Sequence, residues 1–162
     1  IIPNLTWGNS DGIHFERFEP TNTYDVAISD QVVEHLHPED LVDHFRGVLK
    51  ILAPGGRYIF ITPHVHTGPG DISRVFRCEK AMGMHLKEYT YRELAVKLKL
   101  AGFKSVRSKI PDSIKIERIL GKVYKSNVAH AIYLNYLCWV ESLIKILPTQ
   151  EMRRKAVGKA AN

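Results

Sequence analysis

Three histidines stand where chemistry is most readily built. His64 and His66 come directly after the apolar run that ends Ile61-Thr-Pro63, and His85 sits in Gly83-Met-His-Leu-Lys-Glu-Tyr89. A neutral imidazole, with an ordinary pKa of about 6.5, is the natural general base for a hydroxyl acceptor at working pH. His64-x-His66 also offers two neighbouring imidazoles to a metal ion, but a third ligand would have to come from afar, and no metal centre is expected. Asp71, Arg74 and Arg77 share the same Gly- and Pro-rich stretch. The arginines suit forked contacts with an anionic or polyhydroxylated, glycan-like small molecule, although a solvated charge cluster has the same composition.

The elements that must position these residues can be read from hydrophobic period. Tyr24-Asp-Val-Ala-Ile-Ser29 is rich in β-branched residues and reads as a buried strand. Pro38 opens a segment with apolar residues at Leu41, Val42, Phe45, Val48, Leu49 and Leu52, spaced by three and four, which predicts an amphipathic helix. Ala53-Pro-Gly-Gly56 stops that helix, and Arg57-Tyr-Ile-Phe-Ile-Thr62 reads as a second strand. Two apolar strands joined by a helical crossover predict parallel neighbours and a right-handed βαβ unit. From His64 to Glu88 the chain reads as irregular, with a helix-like stretch over Ile72 to Met82. Thr90 with Glu93 forms a capping box for a helix that closes at Gly102. Phe103 to Ile110 alternates like a strand, and helix is expected from Pro111 to Leu147, with Pro148 as a stop and a basic tail, Arg153-Arg-Lys155, beyond it.

In this order and spacing the segments resemble the middle of a class I S-adenosylmethionine-dependent methyltransferase. The resemblance is carried by Asp11-Gly12, by Tyr24 to Leu36 with its Glu34-His35-Leu36, by the Pro54-Gly-Gly56 turn into the next strand, and by Ala101-Gly-Phe103. It implies a Rossmann-like, mostly parallel sheet with helices on both faces, and S-adenosylmethionine lying across the carboxyl ends of the strands. It further implies that Asp11 accepts from the adenine amino group, with Gly12 and Ile13 presenting backbone N–H groups to the ring. Ser29, Asp30 and Gln31 would face the methionine part and the reacting centre, and His35 would orient local backbone. The implied activity is methyl transfer to oxygen or nitrogen of a small or polar acceptor; the alternative is a methyltransferase-like interaction module without cofactor chemistry.

The Gly-rich turn that opens such enzymes does not occur in this sequence, and Ile1 follows no initiator Met or basic leader. The fold is therefore expected to be incomplete at its N-terminus, with residues 1–112 a partial core, 113–162 its helical extension, and cofactor binding by the chain weak or absent. An open sheet edge would favour a homodimer or strand exchange.

Composition bounds the remaining classes. The chain has 162 residues, 44% hydrophobic and 25% charged, within the range of one globular domain. Its net charge of +6 is uneven: residues 1–100 carry 11 basic and 13 acidic side chains, and residues 101–162 carry 12 and 4. The basic residues alternate with apolar ones on helix-like segments, as solvated faces do, so nucleic acid is not an expected partner. Ile132 to Leu147 is interrupted by Asn135, Glu141 and Lys145, which argues against a membrane span. The aromatic stripe of Tyr124, Tyr133, Tyr136 and Trp139 reads as core or a packed lid. Cys78 and Cys138 are read as free thiols, suggesting a reducing, cytoplasmic setting.

Overall fold

The computed structural model describes residues 4–109 and 126–161. Strand β1, Tyr24–Asp30, runs into a short 3-10 turn, Val33–His35, and then into helix α1, Leu41–Ile51; strand β2, Leu52–Ile61, returns parallel to β1. Helix α1 forms where the spacing predicts it because Leu41, Phe45, Val48 and Ile51 share one face and are all buried. The register moves from Tyr24 opposite Leu52 to Val26 opposite Arg57, so the Pro54-Gly55-Gly56 stretch bulges out of β2. Gly55, with φ +86°, turns the chain there.

From Arg57 onward the pairing is regular, with Ala27 opposite Tyr58, Ile28 opposite Ile59 and Ser29 opposite Phe60. Paired residues share a face, so Tyr58 and Phe60 pack with Ala27 and Ser29 toward the helices, against a core of Val33, Leu41, Phe45, Tyr89, Leu94 and Leu98. The opposite face carries Val26, Ile28, Ile59 and Ile61, which are 46, 74, 50 and 59% exposed. Two expectations are corrected here. Strand β1 is largely exposed rather than buried, and among the described residues helices cover one face of a two-stranded parallel sheet, not both faces of a longer one.

Helix α2, Tyr91–Ala101, has its capping box: the Thr90 hydroxyl accepts from the Glu93 N–H while the Glu93 carboxylate accepts from the Thr90 N–H. It closes at Gly102 in the left-handed region, as read from the sequence. The strand expected from Phe103 does not form over residues 103–109. Phe103 and Val106 both face the core although three residues apart, a spacing that breaks the period of two, and a cavity of about 630 Å3 lined by Arg57–Ile61 and Ser105–Lys109 separates this segment from the free edge of β2. The remainder of the segment, at Ile110, lies outside the described residues.

The helix expected over Ile72 to Met82 is reduced to one 3-10 turn, Ile72–Arg74. The Cys78 N–H closes back onto the Ser73 carbonyl, and Arg77 takes positive φ, which ends the turn before a helix can propagate. Helix α3, Asn127–Ile144, is capped by the Ser126 hydroxyl accepting from the Ala129 N–H. The basic tail is itself helical: Arg153-Arg154-Lys155 lies on α4, Gln150–Ala161. The earlier part of the expected long helix, including Tyr124, lies outside the described residues. Among the described residues, no helix is long and apolar enough to cross a membrane.

Candidate functional site

The carboxyl end of β1 carries Ser29, Asp30 and Gln31, and that of β2 leads into His64 and His66. A cavity of about 590 Å3 runs along β1 from Tyr24 to Asp30 and is also lined by Gly12, Val32, His44, Ile51 and Tyr58, among others. That volume is within the roughly 300–1,000 Å3 of small-molecule sites. Asp11 stands beside it and organises its own turn: Oδ1 accepts from the Ile13 N–H at 2.8 Å and the His14 N–H at 2.7 Å, and Oδ2 meets His14 Nδ1 at 3.0 Å. The backbone donors hold the Asp11 carboxyl down at about 2. The Gly12 N–H donates to Ser10 Oγ at 3.2 Å. Gln31, at φ +54°, turns the chain away from β1 and donates its N–H to the Ile61 carbonyl at 3.0 Å.

A hydrogen-bonded chain ties these two segments together, through two residues that the sequence reading did not single out. His44 Nδ1 lies 2.6 Å from the Gly12 carbonyl, His44 Nε2 lies 3.1 Å from the Tyr58 hydroxyl, and that hydroxyl lies 2.6 Å from Ser29 Oγ. A carbonyl only accepts, so His44 Nδ1 carries the proton. Tyr58 then donates to Nε2, and Ser29 donates to Tyr58. Burial lowers the His44 pKa and raises that of Tyr58 to about 12, so both remain neutral at pH 7 and the order of donors is fixed. The signal for His44 was its position, three residues after Leu41 and four before Val48, on the buried stripe of α1.

Phenylalanine at Tyr58 removes one link and leaves His44 Nε2 and Ser29 Oγ without their partner. We expect Tyr58→Phe to cost about 1–2 kcal/mol, read as a lower urea midpoint with an unchanged slope.

The three histidines do not converge. His64 and His66 are neighbours, with ring centroids 5.4 Å apart, but His64 is committed on both nitrogens. Its Nε2 donates to Glu141 Oε1 at 2.6 Å, and its Nδ1 accepts the His66 N–H at 3.2 Å. Glu141, buried on α3, also accepts the Tyr91 N–H at 2.5 Å and the Arg92 N–H at 3.2 Å, so it caps the N-terminus of α2. His64 is thereby a joint between β2, α2 and α3, with neither nitrogen open to a substrate proton. His66 is nearly buried, and burial lowers its pKa.

His85 packs against His35, ring centroids 4.9 Å apart and nearly perpendicular. His85 Nδ1 is 2.9 Å from Glu88 Oε1, and His35 Nδ1 is 3.1 Å from the Met84 carbonyl. Glu34, adjacent and completely buried, accepts from the Thr62 hydroxyl at 2.8 Å through Oε2, while its Oε1 has no partner. Among the described residues, Glu34, His35 and His85 are grouped closely enough to suit a metal ion. Asp71 is not free for an acceptor. Burial pushes its carboxyl up, but the N–H groups of Met84, His85 and Ser73, joined by that of Gly83, outweigh it and hold the pKa well below the usual range. Asp71 therefore fixes the loop that carries His85.

No protein-family profile, curated protein or solved structure matches this chain. Any functional assignment therefore stands on the residues and their arrangement.

Proposed function

We propose that the chain serves S-adenosylmethionine-dependent methyl transfer to a small or polar acceptor. The observation that carries this reading is the cavity along β1, whose lining includes Gly12 together with Ser29 and Asp30 at the strand's carboxyl end. A parallel βαβ unit with polar groups in that crevice suits a nucleoside-bearing cofactor. The fit is partial. Asp11 Oδ2 has acceptor capacity left for an adenine amino group, whereas the Ile13 N–H is already given to Asp11 Oδ1. The nucleoside edge would therefore rest on Asp11 rather than on Ile13, with Ser29 and Asp30 toward the methionine part.

When bound, the cofactor supplies an electrophilic methyl group on a sulfonium. The task left to the protein is alignment of the acceptor. His64, locked to Glu141, orients structure and takes no proton. His85, with Nδ1 held by Glu88, presents Nε2 as the nitrogen suited to a proton or a cation on the acceptor side.

Titration with S-adenosylhomocysteine followed by backbone amide NMR tests this reading. Shifts confined to Gly12, Ile13, Ser29 and Asp30 are expected, with a dissociation constant on the order of 1 mM, equivalent to about 4 kcal/mol of binding. A methyltransferase-like interaction module is the second reading, favoured by the uncovered Val26, Ile28, Ile59 and Ile61. It predicts unmoved amides at the cavity and concentration-dependent protection of β1 and β2 from hydrogen exchange.

A further inference from the structure

We infer that Glu34, His35 and His85 form a binding site for a divalent transition-metal ion of the zinc or cobalt type. One donor atom from each lies within 4.8 Å of the others. Metal–ligand bonds of about 2.0–2.2 Å require the three side chains to draw inward to close around an ion.

Three independent features of the surroundings favour a cation there. The first is the orphaned Glu34 Oε1. A completely buried carboxylate oxygen without a partner is costly, and a bound cation would satisfy it in place.

The second is how the ligands are held from behind. The Met84 carbonyl and the Glu88 carboxylate accept from Nδ1, so in the form of each ring that can ligate a metal the lone pair lies on Nε2. Glu88 is itself anchored by the Gly70 N–H at 2.6 Å, and Glu34 Oε2 by Thr62. Carbonyl, carboxylate and hydroxyl partners behind each ligand are the outer shell that metal-binding histidines and carboxylates use.

The third is the backbone frame. The Leu86 and Lys87 N–H groups donate to the Glu34 carbonyl at 2.9 and 3.2 Å, and Asp71 gathers the N–H groups of Gly83, Met84 and His85. Two segments some 50 residues apart in sequence are thus pinned together at the point where the three ligands meet. Two imidazoles and one carboxylate select a borderline transition ion over magnesium or calcium. Three protein ligands leave coordination positions open, as in sites that admit water or a substrate oxygen. The inference does not depend on the methyl-transfer reading.

Adding Co2+ to the chelator-treated chain tests it. A visible d–d absorption that saturates at one ion per chain is expected, abolished in Glu34→Gln, which preserves side-chain shape, and weakened about 10–100-fold in Glu88→Gln. Zn2+ titration of the wild-type protein, followed through the histidine ring signals by NMR, avoids any question of variant folding. His35 and His85 should shift and saturate at one equivalent while exposed His14 and His37 stay in place. No saturable absorption, retention of the full signal in Glu34→Gln, or Zn2+ shifts at His14 or His37 in place of His35 and His85 would overturn the inference.

Discussion

Replacing Glu141 with alanine is expected to be among the most damaging single substitutions in this chain, at about 3–5 kcal/mol. The carboxylate is buried on α3 and holds three donors at once: His64 Nε2 and the first N–H groups of α2 at Tyr91 and Arg92. Removing it strands a buried imidazole donor and uncaps a helix. Of the polar contacts between α2 and α3 it leaves those of Arg92 with the Cys138 carbonyl and the Ser142 hydroxyl. Urea denaturation of the variant against wild type checks the magnitude.

The same group sets a pH dependence. Burial raises the Glu141 pKa, but the His64 hydrogen bond and the two backbone donors outweigh burial, so the folded value lies below the unfolded one. A lowered folded pKa means that the stabilisation is fully present above the unfolded glutamate value of about 4.3 and is lost as pH falls through the folded value. The acid limb of the stability profile should therefore be shallower in Glu141→Gln than in wild type.

Gly47→Ala is the second large effect. Gly47 sits on the buried face of α1, where alanine would ordinarily improve helix propensity by about 1 kcal/mol. Here a Cβ would fall within the van der Waals shell of the Ile13 carbonyl oxygen and also press on the Phe15 ring. Backbone cannot yield as a side-chain end does, so the segment from Asp11 to Phe15 must lift off α1. Overpacking of this kind costs about 1–3 kcal/mol, opposite in sign to the propensity gain. Loss of stability together with displaced amide signals at Gly12 and Ile13 is the expected result. A variant as stable as wild type, with those signals in place, would show that the segment does not rest on α1.

The contrast between these residues and the ones read correctly from sequence is physical. Helix α1, the Thr90 and Glu93 box and the Gly102 cap depend on groups three to eleven residues apart, and such patterns are local. Glu141 and His64 are 77 residues apart, and His44 meets Gly12 across 32. Their signal in sequence was only a polar residue on an otherwise apolar helical stripe, which fixes burial but not the partner. In the sequence Glu141 only interrupts an apolar run, whereas Leu134, Leu137 and Ile144 place it on the buried face of α3. The strand expected after Gly102 fails for the converse reason: Phe103 and Val106 pack one-sidedly on the core, and an apolar pattern of that kind needs no neighbouring strand to pair with.

The parts of the site nearest β1 were legible, since a strand's carboxyl end and the loop after it follow from the βαβ pattern alone. The pairing of His35 with His85 and the orphaned Glu34 were not, because they require the loop that Asp71 holds. His64 changed role altogether, from an open base to a buried joint.

The most direct measurement of the central claim, a nucleoside cofactor at the carboxyl end of β1, is the amide NMR titration with S-adenosylhomocysteine. Progressive shifts are expected at Gly12, Ile13, Ser29 and Asp30, absent when S-adenosylhomocysteine is replaced by an unrelated nucleotide such as a pyrimidine monophosphate. Unmoved signals at these four residues at several millimolar ligand, in a chain whose other amides report an intact fold, would contradict it.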